Sequence, residues 1–163
     1  MRDPEVLSKV RAFLKEEGII LPSGPIKEFY SQLMKLSGFG IGGILTFSGK
    51  KAGKIASSYI KKLSGEDNPP LERVVDYVSI FFEESGICKV LGYELSDSTI
   101  IFKAKDSVFA QDAKSNKPVC MPLSGALAGV FEEITGKEWE CKELECQAQG
   151  KENCIFEIKL KNR

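Results

Sequence analysis

The hydrophobic pattern of the chain changes its period near residue 86, and this change limits the folds that the chain can adopt. Before that point, apolar residues recur at helical spacing in four segments, 6–14, 26–36, 44–63 and 71–82. After it, residues 87–95 and 98–105 alternate and are rich in β-branched and aromatic side chains, which is typical of a β-hairpin. The chain therefore begins with helices and continues with antiparallel strands.

The C-terminal part of the chain adds one helix and a closing hairpin. Apolar spacing over 123–134 predicts a helix that ends at Gly136, and 139–148 and 153–161 read as strands around a turn at 149–152. This order favours an α+β fold with an antiparallel sheet over a doubly wound parallel fold. Since no repeat or linker divides the chain, we expect a single domain over 1–163. Residues 1–40 would supply N-terminal helices and 41–163 the core.

Composition excludes several classes of function. The 163 residues include no histidine, so an imidazole cannot serve as base, proton shuttle or metal ligand. Lys+Arg and Asp+Glu both number 23, which leaves no excess of positive charge for nucleic acid. No apolar run is long enough to cross a bilayer, and the N-terminus enters an amphipathic segment instead of a signal peptide. We expect a cytoplasmic protein with no nucleic-acid partner and no membrane span.

The cysteines carry the strongest chemical signal. Five cysteines are an odd number in a chain without a secretion signal, which favours reduced thiols over a disulfide framework. A turn centred on Gly150 sets Cys146 opposite Cys154, with both side chains on one face. Cys120 lies just before a predicted helix, whose N-terminal partial charge favours the thiolate. Together with Glu143, these three sulfurs could close a tetrahedron around a metal ion.

The donor types indicate which metal this would be and what it would do. Three thiolates select zinc or iron over magnesium or calcium, and four protein ligands leave no open position, so zinc in a structural role is the first expectation. Glu143 and Cys146 differ in parity, so the site requires a β-bulge or twist between them. Three thiolates, a carboxylate and a divalent cation sum to about −2, which needs compensation from backbone amides or from nearby lysines. The candidate lysines are Lys117, Lys142 and Lys151.

Alternatives to this site remain open at the level of sequence. Cys141 shares the parity of Glu143 and could replace it, which would give four sulfurs. Buried thiols also occur as simple packing or as a cross-strand disulfide, and Cys88 reads as a core residue.

Three further patterns have a structural as well as a functional interpretation. The stretch 38–43 contains GxGxxG, but no strand precedes it, so a flexible bend or close helix packing is favoured over nucleotide binding. The lysines at 50, 51, 54, 61 and 62 indicate a solvated helix face. Small residues at 125, 126, 128 and 129, beside many aromatics, predict either a cavity or close helix-on-sheet packing.

The C-terminal string from Glu143 to Phe156, E-x-x-C-x-A-x-G-x-x-x-C-x-F, resembles the closing signature of the 4-vinyl reductase, or hydrocarbon-binding, domain family. The resemblance covers about the last half of the chain and, more loosely, residues 43–53. It implies zinc held by Cys120, Glu143, Cys146 and Cys154. It also implies an antiparallel sheet covered on one side by helices around an apolar cavity, similar to the ligand-binding fold of Golgi-transport and NO-signalling proteins. Such domains commonly form homodimers through N-terminal helices.

We therefore expect binding of a hydrophobic or aromatic small molecule beside a structural zinc. The candidate ligand-binding residues are Phe81, Phe102, Trp139 and Cys141. Two alternatives stay open. One is an enzyme or enzyme subunit of reductase type in tetrapyrrole-related metabolism, in which the spare Cys141 thiol takes part. The other is an interaction scaffold with a filled, inert cavity.

Overall fold

The computed structural model describes residues 3–36 and 40–161. Four helices come first: α1 (Pro4–Glu17), α2 (Ser23–Leu36), α3 (Ile41–Ser64) and α4 (Leu71–Glu84). The carboxylate of Asp3 caps α1 by accepting a hydrogen bond from the Glu5 amide at 2.8 Å, and Pro4 suits the first helical position, where an amide hydrogen has no helical partner. The helical spacing in the first half of the sequence thus corresponds to real helices.

A four-stranded antiparallel sheet follows, with one helix inserted between its hairpins. The elements are β1 (Lys89–Leu95), β2 (Thr99–Lys105), α5 (Met121–Thr135), β3 (Trp139–Glu145) and β4 (Cys154–Leu160), with a short 3₁₀ turn at Gln147–Gln149. The strand order is β1-β2-β4-β3, so β2 and β4 are central and their hairpins pair through Phe102 opposite Phe156. The expected α+β class with an antiparallel sheet is confirmed.

Three boundaries differ from the sequence expectation. Helix α3 starts at Ile41, so Gly42 and Gly43 are helical and do not interrupt the chain; the positive φ of 123° at Gly40 is where the backbone turns into the helix. Residues 37–39, the rest of that glycine stretch, lie outside the described residues. Strands β1 and β3 are shorter than predicted, because 87–88 belong to a loop and the chain after Glu145 enters the 3₁₀ turn.

One face of the sheet is buried and carries the core. On β2 and β4, alternate side chains point to this face, and Ile100, Phe102, Phe156 and Ile158 are fully shielded from solvent. Helix α4 packs against β1, and α5 packs against β3 and β4. The helices therefore cover one side of the sheet.

Helices α3 and α5 approach each other closely through glycines. A Cβ atom added at Gly53 would lie 2.1 Å from the carbonyl oxygen of Ala126, and one added at Gly125 would lie 2.1 Å from that of Thr46. Gly49 and Gly129 make equivalent contacts with Pro122 and Lys50. Gly125 and Gly129 therefore serve close packing, but against helix α3 and not, as the sequence interpretation had it, against the sheet.

The basic run on α3 is only partly a solvated face, which corrects the sequence interpretation. Lys50 and Lys54 both contact the carboxylate of Glu132 on α5, at 2.5 and 2.7 Å. The ammonium of Lys51 lies 5.4 Å from the centre of the Phe47 ring. Two of the five lysines thus bridge α3 to α5.

Among the described helices, none is long and apolar enough to cross a membrane.

Candidate metal centre and neighbouring cleft

Four side chains from separate elements converge in the interior. The ligand atoms of Cys120, Glu143, Cys146 and Cys154 all lie within 4.8 Å of one another, and all four residues are buried. Cys120 lies at the N-terminus of α5, Glu143 on β3, Cys146 just after β3, and Cys154 at the start of β4. The structure therefore brings together the four residues that the sequence identified.

A β-bulge makes this convergence possible. In the β3–β4 ladder, Glu143 pairs with Phe156 but Glu145 pairs with Ile155, so the register shifts between them. The extra residue compensates for the parity difference between Glu143 and Cys146, as the sequence required. Beyond the ladder, the Sγ atoms of Cys146 and Cys154 are 4.0 Å apart. The hairpin thus presents a carboxylate and two sulfurs to one point.

One oxygen of the cluster lacks a partner. The Cys120 amide donates to Oε2 of Glu143 at 2.8 Å, while Oε1 of Glu143 is buried with no hydrogen-bond partner in the part of the chain that the structure describes. An unpaired buried carboxylate oxygen is costly, at about 1–3 kcal/mol or more, and needs an explanation. A cation in the cluster supplies one.

Backbone amides supply part of the compensating charge. In addition to the Cys120 amide, the Gln147 N–H donates to the sulfur of Cys154 at 3.4 Å. The three lysines considered for this role, at 117, 142 and 151, are solvent-exposed. Amide dipoles rather than ammonium groups therefore lie against the cluster.

The protonation of the cluster shows how strongly its members interact. Burial and the adjacent Cys146 sulfur raise the pKa of Glu143 to about 8. Hydrogen bonds from Cys120 and Cys154 lower the pKa of Cys146, and the same contact with Cys146 raises the pKa of Cys120. Burial and mutual repulsion thus favour retention of protons within the cluster as a whole. A bound divalent cation would replace those protons, because metal ligands must be deprotonated.

The donors fit a soft divalent ion. Zinc–sulfur bonds of about 2.3 Å place tetrahedral sulfurs about 3.8 Å apart, close to the 4.0 Å between the Cys146 and Cys154 sulfurs. Cys141 is not among the grouped ligands; it is half-buried on β3 opposite Ile158. Cys88 is buried in the core, as its position suggested.

The predicted pocket residues have different immediate neighbours, although all four belong to, or pack against, the same hydrophobic core. Phe102 is fully buried, with its ring 6.2 Å from Phe82 and 6.4 Å from Phe156. Phe81 packs edge-on against Phe13 of α1 at 5.7 Å.

Trp139 is also buried, 5.6 Å from the Phe131 ring, and its indole N–H donates to Oγ1 of Thr135 at 2.8 Å. It borders a separate pocket of about 290 Å³ with Asn68 and Leu160.

A larger cleft, of about 720 Å³, lies between α2 and the loop over residues 106–119. The Tyr30 hydroxyl on α2 donates to the carbonyl of Val119 at 2.5 Å, and the Tyr30 ring lies 4.9 Å from that of Phe109. Since Val119 directly precedes Cys120, the cleft borders the candidate metal centre. Sequence reasoning missed it because Tyr30 and Val119 are 89 positions apart and no local pattern brings them together.

The fold and the cluster define a class: an α+β domain with a buried three-cysteine, one-glutamate centre joining its last helix to its last hairpin. The vinyl-4-reductase domain, abbreviated V-4-R, matches residues 100–160, which run from β2 to the end of β4 and include all four cluster residues. The resemblance to the 4-vinyl reductase family is confirmed over this segment.

Two relatives come from Methanocaldococcus jannaschii. An uncharacterized protein is 41% identical over 49 residues, which is 30% of this chain and 30% of that protein, so the match spans less than a third of the relative's length. A vinyl-4-reductase family protein of known structure is 21% identical, covers 98% of this chain and 94% of its own, and has a TM-score of 0.63.

The same fold occurs in ligand-bound proteins. The phenol-responsive sensory domain of the transcription activator PoxR, solved with phenol, has a TM-score of 0.77 at 19% identity, over 96% of this chain and 89% of its own. A trafficking protein particle complex subunit 3 from Naegleria fowleri, covalently bound to palmitic acid, has a TM-score of 0.65 at 16% identity. The match covers 86% of this chain and 95% of that subunit. An H-NOX protein from S. oneidensis has a TM-score of 0.55 at 12% identity, and the match covers 99% of this chain and 100% of that protein. The expected likeness to transport and NO-signalling folds is confirmed at the level of fold.

Proposed function

We propose that this chain is a binding module for a hydrophobic or aromatic small molecule, stabilised by a structural zinc ion held by Cys120, Glu143, Cys146 and Cys154. The observation that carries the metal part is the group of four buried ligand atoms within 4.8 Å, one of them from a carboxylate with an unpartnered oxygen. Zinc bound there would link α5 to the β3–β4 hairpin. Because the chain supplies four ligands, no position is left for a substrate, and the role is structural.

The fold supports the small-molecule part of the proposal. The PoxR sensory domain with phenol and the subunit carrying palmitic acid share this architecture, and both ligands are largely apolar. Phe81, Phe102, Trp139 and Cys141 remain predictions for the residues that meet the ligand.

Metal analysis of purified variants tests the zinc site. Protein prepared without chelators should contain one zinc ion per chain by mass spectrometric elemental analysis, with iron measured in the same samples. Cys146→Ser and Cys154→Ser should lose most of it, because each removes a sulfur donor. The matched control is Cys141→Ser on the same hairpin, which should keep its metal. Wild-type protein without a transition metal, or equal loss in Cys141→Ser, contradicts the zinc proposal.

Small-molecule binding is tested separately. Native mass spectrometry of gently purified protein should reveal a co-purified apolar molecule, or a phenol titration followed by amide NMR shifts should saturate at a limited set of residues. If no molecule co-purifies and phenol shifts nothing, the binding proposal fails even where the metal is present.

The proposal includes a homodimer formed through the N-terminal helices, in the cytoplasm. The α1–α2 connection and α2 expose large apolar side chains: Ile19 is 84% exposed, Ile20 97% and Phe29 70%. Clusters of this kind on a surface favour a partner surface. The five cysteines, all free thiols, support a reducing compartment.

A further inference from the structure

The cleft between α2 and the loop over 106–119 has the size and the lining of a small-molecule site. Its volume of about 720 Å³ falls within the range of roughly 300–1,000 Å³ that is usual for such sites. Six of the side chains that line it are apolar or aromatic: Tyr30, Met34, Val108, Phe109, Ala113 and Val119. The ring centroids of Tyr30 and Phe109 lie 4.9 Å apart with the ring planes at 60°, so the two rings give the cleft an angled aromatic surface for a ligand ring.

One wall of the cleft is rigidly attached to the metal centre. The loop is held by hydrogen bonds from the Asp106 amide to the Gln147 side chain at 2.6 Å and from the Ser115 amide to the Ala148 carbonyl at 2.8 Å. Both acceptors lie in the turn between Cys146 and Cys154. The Val108 amide also bonds the carbonyl of Ile87 at 2.9 Å. A displacement of the turn between Cys146 and Cys154 would therefore displace this wall of the cleft.

The other wall, α2, is attached through few contacts. Tyr30 is its one buried side chain among those described, and its hydroxyl is occupied by the Val119 carbonyl. Tyr30 therefore offers its ring, not its hydroxyl, to the cleft. A wall attached through few buried contacts can adjust to the shape of a ligand.

The mouth of the cleft carries positive charge on both walls. Three lysines line it, Lys27, Lys35 and Lys114, against two carboxylates, Glu28 and Asp112, which leaves an excess of one positive charge. Lys27 lies 3.4 Å from a carboxylate oxygen of Asp112. Lys35 on α2 and Lys114 on the loop have no ion-pair partner among the residues that the structure describes. With Lys27 paired to Asp112, the lysines at 35 and 114 are offset by Glu28 alone, and the remaining single positive charge suits a ligand with one anionic group.

We propose that this cleft binds a planar aromatic acid, with its ring against Tyr30 and Phe109 and its carboxylate beside Lys35 and Lys114. The proposal rests on the small-molecule function above; it locates the site away from Phe81, Phe102 and Trp139 and names the ligand class.

The test compares two probes of the same shape, 2-naphthoate and its uncharged amide, 2-naphthamide. Calorimetric titration of the metal-containing protein should show tighter binding of the naphthoate, and amide NMR shifts should map to residues 24–35 and 108–119. Lys35→Gln and Lys114→Gln should each weaken naphthoate binding by about two- to five-fold, the usual strength of an exposed charge pair. Neither should change the affinity for naphthamide. Ala113→Trp, which fills the cleft, should abolish binding of both probes.

The matched control is Lys61→Gln on α3, away from the cleft, which should leave both affinities unchanged. Each variant is also checked for metal content, so loss of the zinc site is distinguished from loss of the cleft. Naphthoate shifts around Phe102 or Trp139, unchanged naphthoate affinity in both cleft lysine variants, or no naphthoate binding by protein that binds phenol would each overturn the cleft proposal. The last outcome would leave the small-molecule function intact.

Discussion

Helices α2 and α3 are both amphipathic, yet they are attached to the molecule in opposite ways. Helix α3 meets α5 backbone to backbone, through Gly49 and Gly53 on one side and Gly125 and Gly129 on the other. Helix α2 is held mainly by the ring and hydroxyl of Tyr30 and exposes Phe29 on its outer side. Close contacts between two backbones hold α3 and α5 at a fixed separation, whereas the few side-chain contacts of α2 allow that helix to shift.

The two helices therefore have different roles: α3 contributes to the stability of the fold, and α2 forms one wall of the proposed ligand cleft. The α3–α5 pair and the sheet bury most of the fully shielded side chains and set the position of Cys120 at the start of α5. The α2 helix covers a cleft that borders the same cysteine but contributes little buried apolar surface. Regions with few buried contacts open at low cost, which suits a wall that must admit a ligand.

The largest expected effect is at the α3–α5 interface. Gly125→Ala would place a Cβ 2.1 Å from the Thr46 carbonyl oxygen and 2.8 Å from the Lys50 amide, so the helices must separate. Overpacking of this kind costs about 1–3 kcal/mol or more, measured as the free energy of unfolding in guanidinium chloride.

The control for that variant is Gly43→Ala on α3, where an added Cβ meets nothing within 4 Å. It should raise the free energy of unfolding by about 0.5–1 kcal/mol, because alanine is the better helix former. If Gly125→Ala and Gly43→Ala changed the free energy of unfolding equally, the α3–α5 contact would not depend on the glycines at the interface, and the contrast between α3 and α2 would be wrong.

An intermediate effect is expected where α2 is anchored. Tyr30→Phe removes the hydroxyl that bonds the buried Val119 carbonyl, which should lower the free energy of local opening by about 1–3 kcal/mol. Hydrogen exchange should speed up in α2 and in residues 108–119 and change little in α5. Tyr59→Phe, at a position 38% exposed, should change exchange by less than about 0.5 kcal/mol. Uniform loss of protection across the molecule would show instead that α2 is part of the core.

The smallest expected effect on the free energy of unfolding is on the outer face of α2. Phe29→Ala should change it by no more than about 0.5 kcal/mol in the monomer, because the side chain is 70% exposed. If α2 forms the proposed dimer contact, the same variant should raise the dissociation constant in sedimentation equilibrium, whereas Gln32→Ala on the same helix should not. A wild-type chain that stays monomeric at high concentration would refute the dimer.

Particular residues show what could be predicted and what could not. The apolar face of α4 and the alternation on β2 and β4 follow from spacing alone, and the turn around Gly150 brought Cys146 and Cys154 together with a bulge that parity had required. The actual cleft was not predictable, because α2 meets the loop over 106–119 only through long-range contacts. Lys50 and Lys54 looked like a solvated face because their partner, Glu132, lies on a helix that the sequence alone does not place beside them.

The amino-acid sequence by itself determined the element types, the antiparallel hairpins and the choice of sulfur and carboxylate donors, since each depends on short-range spacing and on side-chain chemistry. Only the tertiary structure decided that small residues on α5 close an interface instead of opening a cavity, and that the larger cleft lies beside Tyr30. Those outcomes depend on how helices distant in sequence pack against each other, and this packing depends on shape complementarity over the whole core rather than on any local period.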